Sequence, residues 1–202
     1  MTPVPTPAPT PAPAPGLRER KKLKTRSAIR SATYELIAAQ GYEATTVEQI
    51  AAAAEVSPST VIRYFPAKED IVLGAEYEQP LEAALRSRPA DEPVLTSLRY
   101  AIKAQLGADL DDTGLRLRCR LLRDVPEVRA RMTESLTDTA RRLCPLLAER
   151  TGRPATDLQL RVLVTAVAQA VLEVALHWAE GGRREDLTRL VDEALDVFAD
   201  GI

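Results

Sequence analysis

From Leu17 to Gln40, apolar side chains return at spacings of three and four: Leu23, Ala28, Ile29, Ala32, Leu36, Ile37 and Ala39. That spacing predicts one long amphipathic helix, and Gly41 stops it. A shorter helix over 46–53 is predicted next, turning Val47, Ile50 and Ala51 inward. Either Thr45 with Glu48 or Thr46 with Gln49 has the spacing of a capping box to open it. Ser57-Pro58 starts a third helix, over 58–65, because a serine oxygen accepts an orphan backbone N–H and proline supplies a helical φ in the first turn. A fourth is predicted from Ala67 through Ile71, Val72, Leu73 and Tyr77 toward Leu85, with Pro80 as the place for a bend.

Beyond a loop at 88–93, periodic segments cover about 94–108, 114–124, 126–151, 155–180 and 184–200. Gly107, Gly114, Pro126, Gly152 with Pro154, and Gly181-Gly182 separate them, and Pro145 should kink the 126–151 helix. No strand-like alternation of useful length occurs, so the expected fold is all-α. Residues 1–16 alternate Pro with Thr, Ala and Val, which removes backbone donors and favours an extended or disordered arm.

Charge sharpens this layout. The 202-residue chain is nearly neutral, at −2, so its total charge carries no nucleic-acid signal. Residues 17–30, however, hold seven basic side chains against the single acid Glu19, whereas 76–202 hold 18 basic and 22 acidic groups. The asymmetry puts a polyanion partner at the N-terminal end. Cys119 and Cys144 lack metal-ligand spacing and read as reduced core thiols; no metal and no cofactor is expected. With no apolar stretch following the basic run in the manner of a secretory signal, the expected location is cytoplasmic.

Helices at 46–53 and 58–65 joined by a four-residue turn make a helix-turn-helix unit, with the first helix packed across them. Its residues GYEATTVEQIAAAAEVSPSTVIRYFPAKEDIV, at 41–72, resemble the DNA-binding signature of the TetR family of bacterial regulators. The resemblance implies an N-terminal three-helix DNA-binding domain (17–66), after the arm (1–16), joined to a C-terminal helical ligand-binding and dimerisation domain (67–202). It further implies a dimeric, ligand-responsive repressor that is not an enzyme. Resemblance and position together make Ser59, Thr60 and Arg63 the groove-facing candidates, and place Thr46, Ser57, Tyr64 and Lys68 at phosphates. Lys21, Lys22, Lys24 and Arg26 would add backbone or minor-groove contacts that weaken with salt. The chain departs from the family pattern at two places. Glu55 stands where the turn usually has Gly, at a cost on the order of 1 kcal/mol if left-handed, and Ile62 stands where a tyrosine often reaches a phosphate.

The 155–180 segment is apolar almost all round and must be covered on several sides. Arg161, Thr165, Gln169, Glu173 and His177 recur every four residues through it, which argues against a membrane span. The resemblance implies that the last two helices form the dimer seam; Leu160, Val164, Val167, Val171, Leu187, Leu190, Val191 and Phe198 are its expected residues. Tyr77, Tyr100, Ile102, Leu106, Leu117, Leu121 and Trp178 are candidates to line a ligand cavity, with Arg120 or Arg123 for an acidic head group. The layout resembles that of regulators that sense acyl-CoA-type or flat hydrophobic compounds, and the resemblance implies a small hydrophobic effector. A thiol enzyme built on Cys119, Cys144 and His177 is the rival reading, but no motif links the three. A helical carrier or adaptor with a degenerate DNA head is the other.

Overall fold

A computed structural model describes residues 16–74, 78–109, 112–181 and 186–200. These form ten helices: α1 (Leu17–Gln40), α2 (Val47–Ala53), α3 (Pro58–Tyr64), α4 (Lys68–Leu73), α5 (Glu78–Arg86), α6 (Val94–Asp109), α7 (Asp112–Asp124), α8 (Pro126–Thr151), α9 (Leu158–Glu180) and α10 (Leu187–Asp200). No strand occurs among the described residues. The expected all-α fold is what the chain adopts.

Local chemistry explains the boundaries. Of the two capping boxes open to α2, Thr46 with Gln49 forms: the Gln49 N–H donates to the Thr46 hydroxyl and the Thr46 N–H to Gln49 Oε1. Thr45 is instead buried, its hydroxyl donating to the Gly41 carbonyl at 2.8 Å. Ser57 caps α3 and Pro58 is its first residue, as expected. At the other end of the chain, Asp157 accepts from Leu160 N–H at 2.9 Å, so α9 begins at Leu158 rather than 155. Asp186 does the same service to Thr188, which delays α10 to Leu187.

One expectation changes. The single fourth helix expected from Ala67 to Leu85 is two helices, because Gly74 takes φ +64° and ψ +61° and closes α4 after six residues. A left-handed residue reverses the run of carbonyls, and only glycine reaches it without a Cβ penalty. Pro80 then sits in the first turn of α5, where a missing N–H costs little. α8 runs unbroken through Pro145, whose buried neighbours Cys144, Leu146 and Leu147 hold both halves in one core.

Three clusters of buried side chains stack along the molecule. The head core joins Ile29, Ile50, Ala51, Val61, Phe65 and Ile71. A middle core joins Ile37, Tyr42, Val72 and Leu73 to Leu121, Leu122, Val125, Val128 and Leu172. The largest core lies among α5–α10. α4 therefore serves two cores at once, with Ile71 in the head and Val72 and Leu73 in the joint. The apolar α9 passes the length test for a membrane crossing, but it packs on α7, α8 and α10 and supplies core residues from Leu160 to Trp178.

Candidate nucleic-acid interface and ligand cavity

The turn between α2 and α3 closes with a paired hydrogen-bond pattern. Val56 N–H donates to Ala51 C=O at 2.9 Å and Glu55 N–H to Ala52 C=O at 3.2 Å, so two end carbonyls of α2 are satisfied. This is the Schellman arrangement, which needs a left-handed residue between the bonds. That residue is Glu55, at φ +55°, the one non-glycine with positive φ among the described residues. Val56 then packs back onto the head core beside Ala51.

α3 buries Val61 completely and turns Ser59, Ile62 and Arg63 outward, with Ser57 exposed at its start and Thr60 half-buried. Ile62 is 55% exposed, an apolar side chain on the face offered to a partner. The Ser57 hydroxyl lies 2.9 Å from both the Ser59 and Thr60 hydroxyls, so the three form one small polar cluster around the cap. Arg63 rests against the Tyr64 ring, 5.4 Å from its centroid, which leaves its guanidinium at the surface.

The basic residues divide into two groups. Lys21, Lys22 and Lys24 are exposed on α1. Arg26 is half-buried instead: it lies over Phe65 at 5.2 Å and Tyr64 at 5.9 Å and donates to the Tyr64 carbonyl at 3.4 Å. It clamps the C-terminal end of α3 to α1. Lys68 also turns inward, donating to the carbonyls of Tyr42 at 2.9 Å and Thr45 at 3.1 Å with its ammonium 3.8 Å from the centre of the Tyr42 ring. Tyr42 in turn donates to Glu69, and burial together with that carboxylate pushes its phenol well above the ordinary range. Arg26 and Lys68, both expected as DNA contacts, are half-buried and tie parts of the head together, Arg26 at the C-terminal end of α3 and Lys68 between the start of α4 and the α1–α2 connection.

A cavity of about 220 Å³ lies among α4–α9. Leu81, Leu98, Ile102 and Leu106 form one wall; Met132, Leu136 and Leu143 of α8 and Val164, Val167 and Val171 of α9 form the other. Its polar lining comes from Asp70, Gln105, Arg118, Arg131, Ser135, Asp138 and Thr139. Asp70 is buried and accepts from Arg131 Nε at 2.6 Å and from the Ala67 N–H at 3.1 Å. The Arg118 guanidinium donates to the Leu73 carbonyl at 3.4 Å, at the last turn of α4.

Among the expected ligand residues, Ile102 and Leu106 line this cavity, whereas Tyr100, Leu117, Arg120, Leu121, Arg123 and Trp178 do not. Tyr100 is 46% exposed under the Arg88 guanidinium, 4.2 Å away. Leu117 and Leu121 belong to the middle core, Arg120 faces solvent, and Arg123 donates to the Ala179 carbonyl. Trp178 fills the large core with Arg116 over its ring, and Tyr77 lies outside the described residues. The expected seam residues differ in exposure. Leu160, Val164, Val167, Leu187, Leu190 and Val191 are buried within one protomer, Val171 is half-buried in the cavity wall, and Phe198 is exposed. The large apolar side chains that α9 and α10 show to solvent are Leu158, Val162, Val197 and Phe198. Periodicity finds the apolar faces of these helices but not which neighbour each face meets. Cys119 and Cys144 are buried free thiols, and burial pushes both upward, away from reactive thiolates.

Comparison with known proteins agrees with this division of labour. Residues 29–75 match the family described as "Bacterial regulatory proteins, tetR family", and 92–202 match the "MftR C-terminal domain". The HTH-type transcriptional regulator TcmR of Streptomyces glaucescens is 36% identical over 165 residues, 77% of this chain and 73% of that protein. The putative mycofactocin biosynthesis transcriptional regulator MftR of Mycobacterium tuberculosis is 25% identical over 91% of this chain and 93% of its own. Among solved structures, Thermus thermophilus FadR, a TetR family transcriptional repressor in complex with lauroyl-CoA, superposes with a TM-score of 0.55 at 28% identity, covering 88% of this chain and 94% of that one. A helix-turn-helix head with an exposed α3, carried by α4 on a helical body and matched over both parts, makes this chain a DNA-binding transcriptional regulator of the TetR family.

Proposed function

We propose that the protein is a cytoplasmic repressor that binds operator DNA as a homodimer and lets go when a small apolar effector, of the acyl-CoA class, enters the α4–α9 cavity. The observation that carries this reading is the position of α4: its six residues contribute to the head core, the joint core and the cavity lining together. A ligand wedged against Leu73 or Asp70 acts on the helix that carries the head. The acyl-CoA class is supported by the T. thermophilus FadR likeness, whose structure holds lauroyl-CoA.

In the operator complex α3 enters the major groove. Ser59, Thr60 and Arg63 address base edges, Arg63 suiting guanine, and Ile62 supplies apolar contact for a thymine methyl. Thr46, Ser57 and Tyr64 hold phosphates, and Lys21, Lys22 and Lys24 add affinity that falls with salt. A symmetric dimer places two such heads about one helical turn of DNA apart. Its seam uses the outer faces of α9 and α10, with Leu158, Val162, Val197 and Phe198. The effector must bind the released arrangement more tightly than the DNA-bound one, and the coupling is on the order of 1–3 kcal/mol.

Operator selection from random DNA with the purified protein, followed by gel shift with and without lauroyl-CoA, tests this reading. A palindromic site released by the thioester is expected; binding without sequence preference at moderate salt refutes it. For the seam, Val162→Glu should give a monomer by light scattering, and a persistent dimer would move the interface elsewhere.

A further inference from the structure

Resting on the reading of the α4–α9 cavity as an effector site, we infer that the cavity selects ligands whose apolar chain ends in an anionic group, that Arg131 is the selecting residue, and that such a group competes with Asp70.

The pair is lopsided. The Asp70 side chain is 6% exposed and the Arg131 side chain 42%, so the acid sits inside and the base reaches from the cavity lining to solvent. Burying a carboxylate is costly unless a cation and further donors meet it, and here the Arg131 Nε and the Ala67 N–H do. The place beside Arg131 is therefore built for an anion, and the chain fills it with its own residue. A guanidinium presents its donors in a planar fork that fits carboxylate and phosphate oxygens. Arg131 spends one of these donors on Asp70 and another, at 3.1 Å, on the exposed Glu134. Arg118 brings a second guanidinium to the same lining, at the Leu73 carbonyl. The rest of the lining is mainly aliphatic, with Leu98, Ile102, Leu136, Leu143 and Val167.

Selection and release are then the same event. An anion that takes Arg131 leaves Asp70 buried without its cation, and Asp70 caps α4, the helix that carries the head. The seat of α4 on α8 is weaker while Arg131 serves the ligand, Val72 and Leu73 still packing in the middle core. By reciprocity, whatever holds α4 in the DNA-bound position weakens the anionic ligand by the same factor. A neutral ligand of the same length occupies the aliphatic part and leaves the Asp70–Arg131 pair alone. The anionic group can be the carboxylate of a free acid or a phosphate of an acyl thioester carrier.

Titration of the full chain with decanoate, decanoyl-CoA and 1-decanol, read by calorimetry and by displacement of the neutral dye Nile red, separates these cases. At least one anionic ligand is expected to bind about tenfold or more tightly than decanol, the margin of one charge-assisted fork. Decanoate alone showing the advantage identifies the carboxylate, decanoyl-CoA alone the phosphate. Asp70→Asn should tighten the anionic ligand several-fold and leave decanol unchanged; Arg131→Gln should bring the anionic ligand down to decanol, and Arg131→Lys should restore part of the margin. Decanol matching both anionic ligands in the unaltered chain overturns the inference while sparing the cavity as an effector site. If none of the three binds or displaces the dye, the effector-site reading itself fails.

Discussion

Replacing Glu55 by Gly should make the protein more stable. Glu55 is exposed and makes its turn with backbone bonds only, Glu55 N–H to Ala52 and Val56 N–H to Ala51, so truncation removes no packing. Its φ of +55° brings Cβ against the following carbonyl, a cost of about 1–2 kcal/mol for any non-glycine residue. Glycine escapes that cost but brings more freedom to the unfolded chain, which returns about 0.5–1 kcal/mol. The difference leaves a net gain of roughly 0.5–1 kcal/mol, and for a chain of this size that raises Tm by about 1–4 °C. Glu55→Ala keeps the Cβ and the strain, so it should melt with the unaltered protein, and Glu55→Val should melt lower because a branched Cβ fits the left-handed region worse. Melting curves by circular dichroism at one fixed protein concentration are sufficient, concentration being held because assembly shifts apparent stability. If Glu55→Gly melts no higher than Glu55→Ala, the strain assigned to this turn is not there.

Arg26→Lys should destabilise the head by about 1–2 kcal/mol, nearly as much as Arg26→Ala, because the loss is of stacking on Tyr64 and Phe65 and of the Tyr64 carbonyl bond rather than of charge; a Lys variant as stable as the parent would return Arg26 to the list of DNA contacts. Exchanging Lys21, Lys22 and Lys24 together for Ala should weaken operator and random DNA alike and flatten the slope of log K against log salt by about 2–3; a change of preferred sequence in operator selection would contradict this. Glu92 accepts from Arg88 and from Ser97 at 2.6 Å, and these bonds hold its carboxyl at about 2, below the ordinary 4.5. Since the folded value is the lower one, the stabilisation is complete above about 4.5 and is lost as pH falls toward 2. Hydrogen exchange should therefore show the α5–α6 junction opening in that range before the head core, and equal protection of both would argue against it.

The head was legible in the sequence because its boundaries are written in neighbouring residues. Thr46 and Gln49, Ser57 and Pro58, and Gly41 each act within four positions of what they cap or stop. Even the strained turn could be read, since Glu55 occupies a place that the hydrogen-bond pattern reserves for glycine. What escaped depends on distant partners. Arg26 finds the Tyr64 carbonyl 38 positions away and Lys68 the Tyr42 carbonyl 26 away, ties that no local pattern announces. Gly74 carries a local signal of its own, a glycine within a helical pattern, and it is there rather than at Pro80 that the fourth helix ends. The place of Val164, Val167 and Val171 in the cavity wall escaped for a different reason. On a helix apolar all round, periodicity does not distinguish an inner face from an outer one; crossing angles with α7, α8 and α10 decide it. Asp70 and Arg131 are 61 positions apart, and nothing in either neighbourhood marks them as a pair.

The helix break at Gly74 also bears on how the molecule could be rebuilt. A head ending at that glycine would carry away Asp70, Val72 and Leu73, each of which has its partners on the body: Arg131 for the first, the α7–α9 side chains of the middle core for the others. A chimera joined there to a foreign sensor would thus inherit a buried acid in search of a base and two aliphatic knobs in search of holes. Fusions that move α4 together with the α7–α8 surface it packs against keep those partners in place.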